Sequence, residues 1–385
     1  MCVVALNENA TAQAARLRTA TVPRPLNFSF VYDPLDADMH RMQKHRGIVE
    51  PALTRVWHEL TWQCCRQENG LAIDVGGNYG WYALLSATIG CEVITFEPVP
   101  AHVAIMRKAL SLNPKLAGRV QIHRAVVYDT QGVYNISVPV AMTTDEEPNG
   151  TLKTLGMTGM SGRYGVLKRN PDDAEPGGAY AVTAPSLRID DVLAAADASH
   201  DGGRGRAPRP VCMLKVDVEG YEPQVMRTAK RTLDSGRVRA VQLEINRMYT
   251  RAGVRQNSHT VEMLDDLETR GFAMRQVPGC PFAARVGGPC VDAADAAIVD
   301  VGWKRWQEAP SFWNKLAPFP SNRSRLLSLQ HRRAKSRERS IFLHFNETTR
   351  WAGPVSAMER AFRNDILSRS SNLAGIGPAH QRQKK

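Results

Sequence analysis

The sequence lacks any run of about 18 or more apolar residues, so no segment is expected to cross a bilayer as a helix. Met1 to Leu6 form an apolar start, but Asn7, Glu8 and Asn9 end it too early for a secretory leader. The chain as written therefore reads as soluble. It has no Cys-x-x-Cys pair and no Cys/His cluster at zinc spacing, so a structural metal is not expected. Gly-x-Ser-x-Gly and the P-loop pattern are missing too, which argues against an α/β-hydrolase nucleophile and a Walker-type phosphate site. Absent as well is the Asn/Asp-Pro-Pro-Tyr/Phe pattern of enzymes that methylate base amino groups.

What is present is ordinary for a globular protein: 385 residues, 43% hydrophobic and 23% charged. Collagen, a low-complexity scaffold and wholesale disorder are excluded on those figures. Charge is unevenly placed. Residues 303–385 carry 17 Lys and Arg against 5 Asp and Glu, whereas residues 1–302 hold 33 of each sign. A neutral body with a cationic tail differs from a nucleic-acid enzyme, whose main groove is basic. The run Arg323–Arg339, with seven basic residues and one acid, reads either as a site for an anionic partner or as a solvated, partly disordered extension.

The seven cysteines are Cys2, Cys64, Cys65, Cys91, Cys212, Cys280 and Cys290. Cys91 and Cys212 open apolar runs and read as buried thiols. Cys280 and Cys290 bracket a Gly/Pro loop and either pair or stay free. Six Asn-x-Ser/Thr sites, at Asn9, Asn27, Asn135, Asn149, Asn322 and Asn346, exceed the roughly two that composition predicts. That excess points to a secretory lumen, against the cytoplasmic reading that the opening residues give.

Met39 to Arg66 has helical periodicity, with Val49, Leu53, Val56, Trp57 and Leu60 at three- and four-residue steps. Asn69-Gly70 ends it, and Leu71–Val75 reads as a buried strand. A glycine-rich turn and a helix over Trp81–Ile89 follow. Then come a strand at Glu92–Phe96, a helix at Ala101–Leu112 and a strand near Val120–Tyr128. Alternation of this kind predicts a mainly parallel sheet with helices on both faces. Val133–Val140 predicts an added strand, and 141–179 an insertion with no clear period. Alternation resumes at Ala181–Val182 and Ile189–Ala196, then at strand Val211–Val216, helix Pro223–Leu233, strand Ala240–Ile245 and helix Val261–Arg270. Strands at Phe272–Val277 and Ala296–Val301 complete the pattern. The expected organisation is an N-terminal extension over 1–38, one α/β domain over 39–302, and a basic, partly disordered extension over 303–385.

Three constellations carry chemistry. The first is Asp74-Val75-Gly76-Gly77-Asn78-Tyr79-Gly80 at a strand-to-helix turn, where glycines admit close backbone approach and the next helix offers free N–H groups. A dinucleotide fingerprint needs Gly-x-Gly-x-x-Gly, and Val75 stands where its first glycine belongs. The strand instead ends in the carboxylate Asp74, which would repel a diphosphate and attract a cationic ligand. S-adenosylmethionine, with its sulfonium and ammonium, suits it. The second is Phe96-Glu97-Pro98, where a carboxylate about 20 residues past the turn can accept both ribose hydroxyls; an acid at the start of the next helix explains the same position. The third is Lys215-Val216-Asp217-Val218-Glu219-Gly220-Tyr221-Glu222 at the carboxyl end of a strand. Asp217 and Glu219 share a face if the strand continues, and such a pair can take a hydroxyl proton or hold a divalent cation. Glu222, with Pro223 beside it, reads as a helix-start residue. Glu244 faces the same rim.

These three segments, with Ser186-Leu187-Arg188-Ile189-Asp190-Asp191 before the last, resemble the successive motifs of the FkbM-type methyltransferases over about residues 65–275. The resemblance implies a class I, Rossmann-like, seven-stranded α/β fold, S-adenosylmethionine as cofactor, and methyl transfer to a hydroxyl oxygen of a small molecule or glycan. It also implies that Asp74, Gly76, Gly77, Asn78 and Gly80 surround the donor's methionine end and that Glu97 holds the ribose. Asp217 and Glu219 would line the transfer site, and no residue is assigned to a metal. Gly77 departs from the family's usual alanine. The other class considered is an RNA-binding protein or RNA-directed methyltransferase acting through the basic tail; the neutral charge of residues 1–302 weighs against it.

Overall fold

The computed structural model describes residues 17–22, 26–34, 47–139, 167–168, 179–202, 204–205, 207–218, 220–245, 251–277, 317–318 and 339–345. The chain divides into a unit over Met1–Phe345 and a second over Asn346–Lys385; the second lies outside the described residues.

Three short strands set the frame: β3 (Leu71–Val75), β4 (Glu92–Phe96) and β10 (Val211–Val216). They carry near-continuous apolar runs because both faces of a central parallel strand are covered, and every residue of β3 and β10 is buried. β3 pairs in parallel with β4 on one side and β10 on the other. β5 (Val120–His123) extends the sheet beyond β4, and β11 (Ala240–Ile245) extends it beyond β10, again in parallel. The chain thus winds outward in one direction from β3 and in the other from β10. The point where the winding reverses lies between these two strands, whose carboxyl ends form the crevice where open α/β sheets bind ligands.

Helices cover both faces. On one side α1 (Pro51–Gln67), α2 (Trp81–Ile89) and α3 (Pro100–Ser111) pack on Ala72, Val93, Met213 and Ala240. The short α4 (Pro114–Ala117) follows α3. On the other side Ile73, Ile94, Leu214 and Val241 meet apolar side chains of α5 (Ile189–Asp201), α6 (Glu222–Thr228), α7 (Lys230–Asp234) and α8 (Arg251–Thr269). Residues along the strands feed alternate cores, as the two-residue period of a strand requires, except at the irregularity in β10 where Cys212 and Met213 face the same core.

Among the described residues the sheet holds eight strands, the five from β5 to β11 parallel, where seven were expected. Beyond β11 come β14 (Arg339–Phe345), β12 (Phe272–Val277) and the two-residue β13 (Ala317–Pro318). β14 inserts antiparallel between β11 and β12, with Leu243 opposite Ile341 and Met274 opposite Leu343. Its sequence, Arg-Ser-Ile-Phe-Leu-His-Phe, sits within a stretch read as a basic extension, where the surrounding arginines masked its strand character. The expected strand at Ala296–Val301 lies outside the described residues. A smaller sheet, ordered β6-β9-β7-β8, joins β6 (Val126–Val127), β7 (Val133–Pro139), β8 (Leu167–Lys168) and β9 (Ala179–Leu187). It contains the added strand expected at Val133–Val140. Most of the 141–179 insertion lies outside the described residues.

Residues before the domain also enter the core. β1 (Arg18–Thr21) and β2 (Ser29–Tyr32) form an antiparallel hairpin. Phe28 and Phe30 bring their rings to 5.3 and 5.2 Å from that of Trp81. Asn113 locks the hairpin in place, accepting from the Ser29 N–H and donating to the Ser29 carbonyl. Of the helix expected over Met39–Arg66, residues 39–46 lie outside the described residues, 47–50 are not helical, and the rest appears as α1, started by Pro51, a residue preorganised for a first helical turn.

Cys91 and Cys212 are buried as expected, but they are not free thiols. Cys212 is bonded to Cys64 and Cys91 to Cys65. No sequence spacing signals pairs separated by 148 and 26 residues. Cys280 and Cys290 lie outside the described residues.

Candidate functional site

The turn after β3 is built by close packing. Gly76 and Gly77 both donate to the Phe96 carbonyl at 3.0 Å, which folds the turn against the end of β4. Gly76 has φ +81°, and a Cβ there would overlap the Asp217 carbonyl. Gly77 faces Thr95 in the same way, and a Cβ on Gly80 (φ +85°) would lie 2.6 Å from Met106 Cγ. Asn78 also takes a left-handed φ of 46°, which asparagine tolerates better than most side chains. α2 begins at once, so its first N–H groups face the crevice without a side-chain cap.

Glu97 is brought to this turn, as expected. Its Oε2 accepts from the Asn78 N–H at 2.8 Å and its Oε1 from the Val99 N–H at 2.9 Å. His102 Nδ1 stands 3.5 Å from Oε1, with the Tyr79 ring edge-on to the imidazole. Two backbone donors and a buried histidine thus fix the carboxylate, and Oε2, with a single donor, keeps a lone pair for a ligand hydroxyl. The Glu97 N–H donates to the His123 carbonyl, and the His123 ring stacks on Phe96.

Asp217 follows β10 directly and donates its N–H to the Val75 carbonyl. Its carboxylate accepts from Lys215 Nζ at 3.0 Å while its side chain stays 28% exposed, so it is the acid of the group that solvent reaches. Lys215 is almost fully buried. Its ammonium also lies 3.4 Å from the Gly76 carbonyl, 3.7 Å from Asp74 Oδ1 and 5.4 Å above the Tyr82 ring. Burial alone would lower its pKa, but Asp217 and then Asp74 outweigh that and hold the ammonium charged, above its ordinary value. Lys215 was quoted in the motif but given no role. The signal was there: it is the one charged residue in the apolar strand Val211–Val216, and such a group needs partners.

Asp74 is placed deeper than expected. It is 1% exposed, and neither oxygen has a hydrogen-bond partner among the described residues. At 3.7 Å the Lys215 ammonium is an ion-pair neighbour and too far for a hydrogen bond. Burial pushes its pKa up to about 6 against the attraction of Lys215, with Asp217 and Glu97 adding repulsion. Lys215 therefore belongs first to Asp217. The strand register places Thr95, Asp74, Lys215 and Gln242 side by side on β4, β3, β10 and β11, a buried polar row crossing the sheet.

Glu222 proves to hold a loop. It opens α6, is buried, and its Oε1 accepts from the N–H groups of Val218 and Gly220. Those two residues flank Glu219, which lies outside the described residues. Glu244 is half-buried at the end of β11. Asp190, from the segment before the last motif, is structural: buried at the start of α5, it accepts from the Arg231 N–H and from both the N–H and Oγ1 of Thr232. Of the basic run Arg323–Arg339, only Arg339 is described, at the start of β14.

The donor set fits S-adenosylmethionine. Asp74, Glu97 and Asp217 against the single ammonium of Lys215 leave the crevice negative, which favours a ligand carrying a sulfonium and an ammonium and opposes a diphosphate. Asn78 Oδ1, buried and without a hydrogen-bond partner among the described residues, is a further acceptor at the turn. Among the described residues no helix is long and apolar enough to cross a membrane.

A curated relative, methyltransferase sdnD of Sordaria araneosa, is 27% identical over 163 residues, which cover 41% of this chain and 60% of the relative. The chain thus spans less than two thirds of that relative's length. Among solved structures, the methyltransferase FkbM from Methylobacillus flagellatus is similar at 15% identity and a TM-score of 0.27, covering 46% of this chain and 34% of that one. A precorrin-6y C5,15-methyltransferase from Geobacter metallireducens follows at 12% identity and a TM-score of 0.26, over 57% of this chain and 73% of that one. The family model described as the methyltransferase FkbM domain matches residues 74–274, beginning at Asp74, the last residue but one of β3. That match takes in the glycine turn, Glu97 and the Lys215–Glu222 segment together, and by it this chain belongs to the FkbM methyltransferase family.

Proposed function

We propose that this chain transfers a methyl group from S-adenosylmethionine to a hydroxyl oxygen of a small molecule or glycan. The observation that carries this reading is the placement of Asp217: partly exposed, ion-paired to a buried lysine at 3.0 Å, and joined through that lysine to the Gly76 carbonyl of the donor turn.

When bound, the donor supplies an electrophilic methyl group on a positive sulfur. The protein then has to align the acceptor and receive its proton. In this reading Glu97 accepts the ribose hydroxyls, Asn78 and the N–H groups at the start of α2 face the methionine end, and the buried negative charge of Asp74 favours the cation. Asp217 orients the acceptor hydroxyl and takes up its proton as the oxygen–methyl bond forms and the sulfur–methyl bond breaks. Lys215 fixes the Asp217 rotamer, so the carboxylate does not swing toward solvent. Glu219, between Val218 and Gly220 in the sequence, would complete the rim.

The test is an acceptor screen with isotopically labelled donor and intact-mass detection, on the full wild-type chain and on Asp217→Asn. We expect methyl ether products, with kcat reduced by roughly 10²–10⁴ in the variant and donor affinity by calorimetry within a few-fold of wild type. Undiminished turnover in Asp217→Asn removes that residue from the mechanism. Methylation confined to amines or carbon atoms overturns the hydroxyl assignment.

A further inference from the structure

The chain carries a second built feature at the opposite end of the same strands. Cys64 and Cys65 occupy the last turn of α1, where successive residues point about 100° apart around the axis. One meets Cys212, the second residue of β10; the other meets Cys91, which directly precedes β4. The Cα–Cα separations of 5.7 and 4.5 Å lie within the range that a disulfide spans. All four cysteines are at most 3% exposed. Gly70, just before β3, closes the site: a Cβ there would overlap Cys212 Sγ and press on Cys64 Sγ at 2.9 Å.

We propose that this chain matures in an oxidising compartment, where Cys64–Cys212 and Cys65–Cys91 form and pin α1 across the feet of β10 and β4. This inference does not rest on the methyl-transfer reading. The cysteines sit at the amino ends of the strands, away from Asp217, so their role is to staple. Each pair gives up two protons and two electrons to a disulfide-bearing oxidant, a protein or glutathione disulfide, which leaves as two thiols. Such bonds persist in secretory and extracellular settings and are rare in a reducing cytosol.

A separate feature points the same way. Of the six Asn-x-Ser/Thr sites, Asn27 and Asn135 are among the described residues: Asn135 is half-buried within β7, whereas Asn27 is exposed in the connection between β1 and β2, with φ 48°. A projecting turn is where a glycan attaches without disturbing the fold.

The competing occupant is a thiophilic metal ion. Sγ atoms of Cys65, Cys91 and Cys212 lie within 4.8 Å of one another, so thiolates there could hold one in a reducing compartment.

The deciding experiment takes the full chain from its native cells, alkylates it with N-ethylmaleimide during lysis, and maps unreduced peptides by mass spectrometry. The expected result is the Cys64-Cys65 peptide linked to both the Cys91 and the Cys212 peptides, with glycosidase converting Asn27 to aspartate. Four alkylated cysteines with an unmodified Asn27 overturn the proposal, as does one equivalent of zinc that thiol alkylation releases. In purified protein, Cys65→Ser should lower the Tm by roughly 5–10 °C while turnover below the transition stays within about two-fold of wild type. Should that variant fail to fold, thiol titration of the unaltered chain before and after denaturation still decides.

Discussion

The two ends of β3, β4 and β10 are made of opposite materials. At the carboxyl ends, two carboxylates, Asp74 and Asp217, share one buried ammonium, and Asp74 keeps two buried oxygens without hydrogen bonds among the described residues. At the amino ends, four cysteines are covalently paired around Gly70, with apolar packing on every side. Each end is crowded so closely that a Cβ does not fit without a shift, at Gly76, Gly77 and Gly80 above and at Gly70 below. The upper end holds charges that would be more stable in water, which is how a fold keeps a site ready for a charged ligand. The lower end gains stability without presenting any group to a ligand. Strain and support are thus placed about one strand length apart.

The largest expected effect that sharpens this contrast comes from removing the ammonium. Lys215→Met leaves Asp74 buried without its cation and frees Asp217 to swing away. Breaking a buried pair by deleting one partner costs about 3–5 kcal/mol. Asp74 would relieve part of that by taking up a proton, so the loss in denaturant unfolding should be smaller at pH 5 than at pH 8, and turnover should vanish at both. A variant as stable as wild type at pH 8 would mean that the carboxyl ends carry no electrostatic stress, and the contrast would fail.

The second test sets Gly76 against Gly70. Gly76→Ala forces an L-residue to φ +81° and drives its methyl group into the backbone carbonyl of Asp217, which cannot rotate away. Left-handed strain and overpacking together should cost about 2–4 kcal/mol and abolish donor binding in calorimetry. Gly70→Ala has no left-handed backbone and meets side-chain sulfur atoms. It should cost about 1–3 kcal/mol and leave donor binding intact. Equal losses of donor binding in both variants would show that the ends are not separable.

How much of this was legible in the sequence follows from what kind of contact each residue makes. The sheet from β3 to β11 could be read because its strands are apolar runs between glycine turns, a local signal. Asp74, Gly76, Gly77, Asn78, Gly80, Glu97 and Asp217 converge as expected because parallel winding sends consecutive strand ends to one crevice. The depth of Asp74 and the centrality of Lys215 were not legible. They depend on which neighbour a side chain meets across the sheet, Lys215 beside Asp74 and Gln242, and that register exists only after folding. The cysteine pairs were hidden for the same reason, since α1 must first lie across the sheet. The β1–β2 hairpin and β14 were missed because a four-residue strand and a strand among arginines give too little periodicity to stand out.

The smallest predicted effect concerns the loop beside Asp217. Glu222 is buried, and burial pushes its pKa up to about 7, against the two backbone N–H donors that favour its charge and with Asp217 adding repulsion. A carboxyl whose folded-state pKa lies above its unfolded value binds protons more tightly in the folded chain. Its contribution to stability is therefore complete below about pH 4.5 and is lost as pH rises through 7. Glu222→Gln keeps an oxygen for the Val218 and Gly220 N–H groups and cannot ionise. It should leave stability near pH 4.5 unchanged and raise it by about 1–3 kcal/mol at pH 7.5, flattening the slope between those values in denaturant titrations. Because a cysteine-paired end has no such group, Cys65→Ser should shift the whole stability profile down without changing that slope. A slope that persists in Glu222→Gln would assign the titration to Asp74, where the same sign of dependence is centred near pH 6.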